Sequence, residues 1–295
     1  MNSERVVIGT WPLSGDYGKI DGAAVVDILN YCYESGFMEY DTAPSYGNGL
    51  IESRLGEAFG GKDALINTKV GNIPLKGKSF KVQDMRQSVD DSLKRLQKKS
   101  INTLFLHNPR AEVTDYNEMF EFMDGLKSEN KIKYSGISLA KGHVYDAKTL
   151  AQFDYIQDDF NLLAMGSLKY ADGNKFMARS PLASGILSGR LTPESVFPGD
   201  DHRSGWLTGE RLASLLRRVD AIREVSDVSL PSLAKRFVLC NKKVDKAIFG
   251  VKRKEHVDSI LEDLKSPPLD AEVQKKLVEL YESDFGLVNE RQFAY

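Results

Sequence analysis

Residues 37–49 read F-M-E-Y-D-T-A-P-S-Y-G-N-G, a short apolar and aromatic run followed by a segment rich in turn formers. The run at 37–40 is typical of a buried strand, and the Pro, Ser, Gly and Asn residues after it are typical of a loop. Asp41 and Tyr46 therefore lie at the carboxyl end of a predicted strand. In a barrel of alternating strands and helices, that end carries the active site. The remaining sequence must supply such a barrel.

Strand-like and helix-like patterns alternate along most of the chain. The apolar patterns predict strands at residues 6–11, 37–40, 64–71, 101–107, 134–138, 155–157, 175–179 and 244–249. They predict helices at 22–35, 51–59, 82–98, around 120–126, 210–225, 230–241, 254–264 and 270–283, with short or irregular helices before the sixth strand and at 164–174. A loop at 180–209 follows the seventh strand, and loops of this length are usually functional.

Eight strand–helix units without a break in composition favour an α/β fold with a single (β/α)8 TIM barrel. Residues 1–295 are predicted to form one domain, in which 266–295 add a C-terminal helix and tail. The alternative is an open, doubly wound sheet. That fold favours a Gly-rich phosphate loop after an early strand, and the sequence contains no G-x-G-x-x-G.

The composition indicates a globular protein, with 41% hydrophobic and 28% charged residues. The 40 Lys and Arg residues nearly balance the 42 Asp and Glu residues, which gives no reason to predict a nucleic-acid or membrane partner. No apolar run approaches the length of a membrane helix or resembles a signal peptide, so a cytoplasmic location is expected. Cys32 and Cys240 are predicted to be buried free thiols, and no metal site is predicted.

Four polar residues lie near the ends of three consecutive predicted strands, namely Asp41, Tyr46, Lys69 and His107. In a barrel these ends converge on one mouth. A single His at a strand end is more often a capping or core residue, and Asp or Tyr in a loop often has a structural role. A Lys within an apolar strand is rarer, because a buried ammonium group needs a partner.

Together the four residues suit one type of chemistry. Beside a buried ammonium, the pKa of the Tyr46 phenol is expected to fall from its ordinary value of about 10. Asp41 is expected to pair with Lys69 and keep it charged, while His107 orients a carbonyl oxygen or shares the proton. The result is a general acid directed at a carbonyl group, as hydride reduction of an aldehyde or ketone requires.

The set Asp41, Tyr46, Lys69 and His107 resembles the catalytic tetrad of the aldo-keto reductases. The surrounding motifs agree: Gly9-Thr10-Trp11, D-T-A-x-x-Y-G at 41–47, L-H-N-P at 106–109, Gly136-Ile137-Ser138, Ser180-Pro181-Leu182, and Gly250 followed by Lys252-Arg253. The resemblance extends from about residue 6 to residue 264. It implies a barrel that reduces a carbonyl compound with NADPH, with NADH as the alternative, and uses Tyr46 as the acid.

The resemblance also implies cofactor contacts. Ser138 and Gln157 correspond to residues that hold the nicotinamide carboxamide, and Lys252 and Arg253 to residues that bind the adenosine 2′-phosphate. Without the resemblance, the basic pair would be interpreted as a solvated turn. The complete predicted cofactor set is Gly9, Thr10, Trp11, Asp41, Ser138, Gln157, Arg179, Ser180, Pro181, Leu182, Ser184, Ser188, Gly250, Lys252, Arg253 and His256.

Three positions depart from the family pattern. Leu139 replaces an Asn that usually contacts the carboxamide, and Ile260 replaces an Asn expected to contact adenine. Arg179 replaces the Tyr that usually stacks on the nicotinamide. Two roles remain open for Arg179, which are stacking on that ring and binding an anion of the substrate or cofactor.

The predicted substrate-binding residues are Trp11, Tyr17, Tyr46, His107 and Trp206. Because the loop at 197–203 is charged, a small, polar or sugar-like carbonyl compound is favoured over a steroid or lipid. Two alternative functions are an NAD(P)+-dependent aldose or alcohol dehydrogenase and a non-catalytic, cofactor-binding regulatory barrel. The sequence does not distinguish a monomer from a homo-oligomer.

Overall fold

A computed structural model describes residues 1–110, 113 and 115–295. Eight parallel strands close into a barrel in the order β1-β2-β3-β6-β7-β8-β9-β10, and β10 pairs with β1. These strands are β1 Val6–Gly9, β2 Glu39–Asp41, β3 Leu65–Val70, β6 Ile101–His107, β7 Ile132–Ser138, β8 Tyr155–Asp159, β9 Lys175–Arg179 and β10 Lys246–Gly250. The predicted TIM barrel is confirmed. A two-stranded antiparallel hairpin, β4 Asn72–Ile73 and β5 Gly77–Lys78, was not predicted.

The α-helices agree with the predicted positions to within a few residues. They are α1 Gly22–Glu34, α2 Leu50–Phe59, α3 Val82–Leu96, α4 Tyr116–Ser128, α5 Ala147–Leu150, α6 Gly209–Arg223, α7 Leu230–Cys240, α8 Lys254–Lys265 and α9 Ala271–Glu282. The segment predicted to be irregular contains only a short 3-10 helix, Gly166–Tyr170. Among the helices of the described residues, none is both long enough and apolar enough to cross a membrane.

Alternation along the strands decides which side chains enter the barrel. Val7, Phe105, Tyr155, Met177 and Ile248 form a small apolar cluster, separate from the larger one that contains their strand neighbours. Because side chains alternate between the two faces of a strand, residues at even spacing from this cluster share its interior face. That face includes Gly9, His107, Gln157, Arg179 and Gly250 near the carboxyl ends of their strands, so the fold directs the predicted site residues toward one mouth.

Some predicted boundaries were wrong in ways that affect the site. The first strand ends at Gly9 rather than residue 11, because Trp11–Leu13 forms a 3-10 turn with a proline in its first turn. The sixth barrel strand continues to Asp159, two residues beyond its predicted end, and so adds a carboxylate to the interior face. Both cysteines are free, but only Cys32 is buried; Cys240 is half-buried, so the prediction of two buried thiols was wrong for it.

A polar cluster lies near the amino-terminal ends of the barrel strands. Glu39 of β2 is buried and pairs with Lys246 of β10. Its carboxylate also accepts hydrogen bonds from Asn67 Nδ2 at 2.8 Å and Asn102 Nδ2 at 3.4 Å. The cluster joins β2, β3, β6 and β10, and so links strands from both ends of the chain. Burying the carboxylate is tolerable only because these partners surround it.

We expect Glu39→Ala to lower the free energy of unfolding by about 3 kcal/mol, because Lys246 and the two amides lose their common acceptor. Urea denaturation measures this change. Glu34→Ala, at an exposed position on α1, is the matched control and should change stability by no more than about 0.5 kcal/mol. If Glu39→Ala were as stable as Glu34→Ala, the polar cluster around Glu39 would not stabilise the closed barrel.

Candidate active site

The centre of the site is the Lys69 ammonium group, which is 1% exposed. It donates hydrogen bonds to Asp41 Oδ1 at 2.7 Å, to the Thr42 carbonyl at 2.8 Å and to the Tyr46 hydroxyl at 3.3 Å. These three acceptors use all three N–H donors of the ammonium group. Asp41 raises the pKa of Lys69 against the opposing effect of burial, so Lys69 stays charged. The predicted Asp41–Lys69 pair is therefore present.

A tight turn positions Tyr46. Residues 47, 48 and 49 all have positive φ values, of 57°, 53° and 89°. Glycine tolerates this left-handed backbone, and asparagine is among the few other residues that adopt it readily. A Cβ at Gly49 would also lie 3.0 Å from the Arg95 side chain. The G-N-G sequence thus turns the chain directly from Tyr46 into α2.

The expected fall in the pKa of Tyr46 is not found. Burial raises the pKa of the phenol above its ordinary value, and this effect exceeds the lowering by the Lys69 charge. The prediction counted the favourable charge but not the cost of removing a phenolate from water. Tyr46 is consequently held in its protonated, proton-donating form.

His107 faces the same cavity from the end of β6. Its ring centroid lies 6.4 Å from that of Tyr46, with the ring planes nearly perpendicular. Burial, and then the charges of Lys69 and Arg179, lower the pKa of His107 well below its ordinary value, so the imidazole is neutral. Its Nδ1 atom is sealed from solvent and has no hydrogen-bond partner among the described residues. With its pKa lowered, the neutral imidazole is a weak base, and its N–H group can orient a carbonyl oxygen.

A hydrogen-bond chain connects Asp41 to the opposite side of the barrel. Gln157 Nε2 donates to Asp41 Oδ2 at 2.9 Å, and Ser138 Oγ donates to Gln157 Oε1 at 3.0 Å. Arg179 Nη1 in turn donates to Ser138 Oγ at 3.1 Å. The two residues assigned to the carboxamide contact are thus fixed in orientation on adjacent strands, where Ser138 pairs with Gln157.

Arg179 is held by the protein itself. Its Nε donates to Asp159 Oδ1 at 3.0 Å, and its Nη2 lies 3.5 Å from Asp158 Oδ1 and donates to the Leu139 carbonyl at 2.9 Å. The two carboxylates compensate the guanidinium charge, which weakens the case for Arg179 as an anion-binding residue. Leu139 is buried and contributes its backbone to this arrangement.

These residues surround a cavity of about 1160 Å³ at the carboxyl ends of the strands. It is large enough for a dinucleotide and a small substrate. Predicted site residues that line it are Gly9, Trp11, Tyr17, Asp41, Tyr46, His107, Gln157, Arg179, Ser180, Pro181, Leu182, Ser184, Ser188, Trp206, Gly250, Lys252 and His256. Four do not line it: Thr10, Lys69 and Ser138 are buried behind it, and Arg253 lies at the surface.

Backbone strain marks the loop after β9. Ser180, Ala183 and Ser184 have positive φ values of 56°, 47° and 54°, and Gly185 has 92°. Non-glycine residues in this conformation are uncommon, and they cluster at ligand-binding sites. Left-handed turns can also group backbone N–H donors into concavities that bind anions. The segment therefore suits the pyrophosphate position that the resemblance implies.

Basic residues near the start of α8 define another end of the cavity. Lys252 Nζ donates to the Gly18 carbonyl at 2.9 Å and also to that of Tyr17, so it ties the loop after β1 to the loop after β10. Arg253 is exposed, contacts His256 Nε2 at 3.2 Å, and leaves the start of α8 without a side-chain cap. An uncapped helix start beside a cation favours an anionic group.

The sequence did not identify several cavity-lining residues, namely Lys141, Asp159, Arg211 and Lys235. Lys141, Arg211 and Lys235 belong to no motif, and the loop after β7, α6 and α7 respectively bring them to the cavity. Only Asp159 had a usable signal, since it lies two residues after Gln157 on the same strand face. No group of three or more His, Cys, Asp or Glu side chains suited to a metal occurs in the described part of the chain.

The lowered pKa of His107 predicts a specific pH dependence of stability. Below pH 6.5 the unfolded chain binds a proton at His107 while the folded chain does not, so acidification favours unfolding. Between pH 7 and 5.5, wild type should lose about 1 kcal/mol more stability than His107→Gln. Urea denaturation at both pH values measures the difference. His143→Gln, the matched control, should keep the wild-type dependence; an identical dependence in His107→Gln would contradict the assignment.

Comparisons with known proteins agree with this fold. Aldo-keto reductase YhdN from Bacillus subtilis (strain 168) is 27% identical over 96% of this chain and 91% of its own length. The NADH-specific methylglyoxal reductase of Escherichia coli (strain K12) is 24% identical over 86% of this chain and 87% of its own. A glycerol dehydrogenase structure from Gluconobacter oxydans superposes with a TM-score of 0.78 and 25% identity, covering 94% and 90% of the two chains. The sequence profile of the aldo/keto reductase family matches residues 5–282. The chain is therefore a member of the aldo/keto reductase family, oxidoreductases that use a nicotinamide cofactor.

Proposed function

We propose that this protein reduces an aldehyde or ketone to an alcohol with NADPH, and that Tyr46 is the general acid. The observation that carries the proposal is the buried Lys69 ammonium group, bonded to both Asp41 and the Tyr46 hydroxyl at the edge of the cavity. A nicotinamide cofactor supplies the hydride when bound. Tyr46 donates the proton to the carbonyl oxygen, and neutral His107 orients that oxygen.

The protonation state of Tyr46 favours reduction over the reverse reaction. Reduction needs a phenol that donates a proton, and burial keeps this phenol protonated at neutral pH. Alcohol oxidation would instead need the phenolate as a base. As the hydroxyl gives up its proton, the Lys69 charge stabilises the negative charge that develops on the oxygen. A non-catalytic regulatory barrel would not require this arrangement.

The chain's own residues suit the cofactor assignments. Gln157 lines the cavity at the carboxamide position, and Ser138 behind it and Asp41 fix the orientation of its amide. The strained segment at 180–185 provides the pyrophosphate position, and Arg253 with His256 provides the 2′-phosphate position. Since the amine of Lys252 is already bonded to two carbonyls, we assign the selection of NADPH over NADH chiefly to Arg253.

We expect Tyr46→Phe to lower turnover by about two to four orders of magnitude, because the proton donor is lost. The decay of reduced-nicotinamide absorbance with a panel of aldehydes, ketones and sugars measures turnover, and fluorescence titration measures NADPH affinity. The affinity should stay within about twofold of wild type, since the phenol donates a proton rather than binding cofactor. Tyr170→Phe, outside the cavity, is the matched control. Undiminished turnover in Tyr46→Phe would rule out the assigned role.

Arg253→Ala should raise KM for NADPH about tenfold while leaving KM for NADH nearly unchanged, because only NADPH carries the 2′-phosphate. Steady-state kinetics with each cofactor at saturating substrate gives both constants. Lys254→Ala removes the adjacent cation, which pairs with Asp27 instead, and should leave both constants unchanged. Equal increases for NADPH and NADH in Arg253→Ala would assign the selection to other residues.

A further inference from the structure

An aromatic wall leads from the reacting phenol to the far side of the cavity. The Tyr46 ring stacks on Trp11 with centroids 6.2 Å apart, and Trp11 lies 4.7 Å from His202. His202 is 5.9 Å from Trp206, which is 6.0 Å from Tyr295. All five line the cavity. A substrate whose carbonyl lies at Tyr46 would therefore extend along this wall.

Two cations lie at the far end of the wall. Lys141, in the loop after β7, places its Nζ 4.5 Å from the centroid of the Tyr295 ring. Arg211, in the first turn of α6, places its Cζ 5.5 Å from the centroid of the Trp206 ring. Both residues line the cavity, although they come from elements about 70 positions apart in the chain.

These two cations differ from most of the others in the cavity lining because no carboxylate of the described residues pairs with either. Arg179 pairs with Asp158 and Asp159, Arg203 with Asp201 and Lys235 with Asp263, and Lys252 is bonded to two carbonyls. Arg190 lies near His256, at the proposed adenosine end. Among the described residues, Lys141 and Arg211 are left as the cations on the substrate side that form no ion pair.

The hydrogen bond and ring contacts that these cations make are with neutral groups. Arg211 Nη2 donates to the Ala294 carbonyl at 3.1 Å, and its Nε is sealed from solvent without a partner in the described residues. The same holds for Nε1 of Trp206. Desolvation, together with the charges of Arg211 and Arg179, lowers the pKa of Lys141 against the opposing effect of Asp159 and Asp158. An anion bound here would relieve this repulsion.

We propose that Lys141 and Arg211 bind an oxyanion, a carboxylate or a phosphate, carried by the carbonyl substrate at the end remote from Tyr46. The substrate class is thus a carbonyl compound with an anionic group, rather than a neutral sugar. The proposal rests on the assignment of carbonyl reduction to this site. Ammonium and guanidinium groups bind carboxylate and phosphate oxygens through charge-assisted hydrogen bonds, and the aromatic wall that lines the cavity suits the carbon chain between the two groups.

The first test compares 4-formylbenzoate with its methyl ester, which has the same reactive aldehyde but no charge. For wild type, kcat/KM should be about ten- to hundredfold higher for the acid. In the Lys141→Gln/Arg211→Gln variant, the ratio of acid to ester should fall to about one. Lys169→Gln is the matched control, since it removes a cation that also lies over a tyrosine ring but outside the cavity, and it should keep the wild-type ratio.

Reversing both charges should change the substrate preference, an effect that loss of folding would not produce. In Lys141→Glu/Arg211→Glu, the preference should invert toward 4-formyl-N,N,N-trimethylanilinium, a cationic aldehyde. Because each measurement is a ratio between substrates in one preparation, the fraction of folded protein cancels. Glyceraldehyde 3-phosphate compared with glyceraldehyde tests whether the anion is a phosphate, and 4-formylbenzoate tests whether it is a carboxylate. Equal kcat/KM for charged and neutral partners in both pairs would overturn the inference.

Failure of this inference is distinguishable from failure of the reductase assignment. If wild type reduces the charged and the neutral partner equally in both pairs, the reductase assignment stands and the anion site is refuted. If neither these compounds nor any aldehyde, ketone or sugar of the panel is reduced, the reductase assignment fails, and direct binding decides about the anion site. Both tryptophans of the chain, Trp11 and Trp206, line the cavity, so their fluorescence reports binding there. Tighter binding of the acid than of the ester would support the site, and equal dissociation constants would refute it.

Discussion

The buried ammonium group of Lys69 is the constraint on which the site depends. Moving such an ion from water into a protein interior costs several kcal/mol unless charged and polar partners compensate it. Asp41 and the Thr42 carbonyl from the end of β2, with the Tyr46 hydroxyl, supply that compensation. The pairing of β2 with β3, in which Asp41 lies opposite Asn67, brings these acceptors to Lys69. Loss of any one acceptor would leave a buried N–H donor unsatisfied.

Burial and charge act on Tyr46 in opposite directions, and the balance suits an acid. Burial raises the pKa of the phenol and Lys69 lowers it, with burial prevailing. A phenol that was already ionised at neutral pH would have no proton to donate. An isolated buried phenol, in contrast, would resist giving up its proton. Lys69 therefore contributes most when negative charge develops on the oxygen, so it stabilises the transition state more than the resting enzyme.

The sequence predicted much of the barrel and the central residues, because both follow local patterns and an ordered series of motifs. It could not predict the partners of Arg179, since Asp158 and Asp159 come from a different strand and their role depends on strand register. The pKa of Tyr46 was predicted with the wrong sign, because burial is a property of the folded cavity. Lys141 and Arg211 had no sequence signal, since separate loops and helices bring them together.

The alternation of side chains within each strand has a consequence for how this barrel tolerates change. His107, Gln157 and Arg179 reach the cavity because each occupies the inward-facing alternation of its own strand. Adding or deleting one residue inside such a strand would turn the inward-facing side chains outward and the outward-facing ones inward. The site residue on that strand would then face the surrounding helices. The same change in a loop does not alter which side chains of the strands face inward. Length variation should therefore accumulate in the loops, where it can reshape the substrate end while preserving the proton donor.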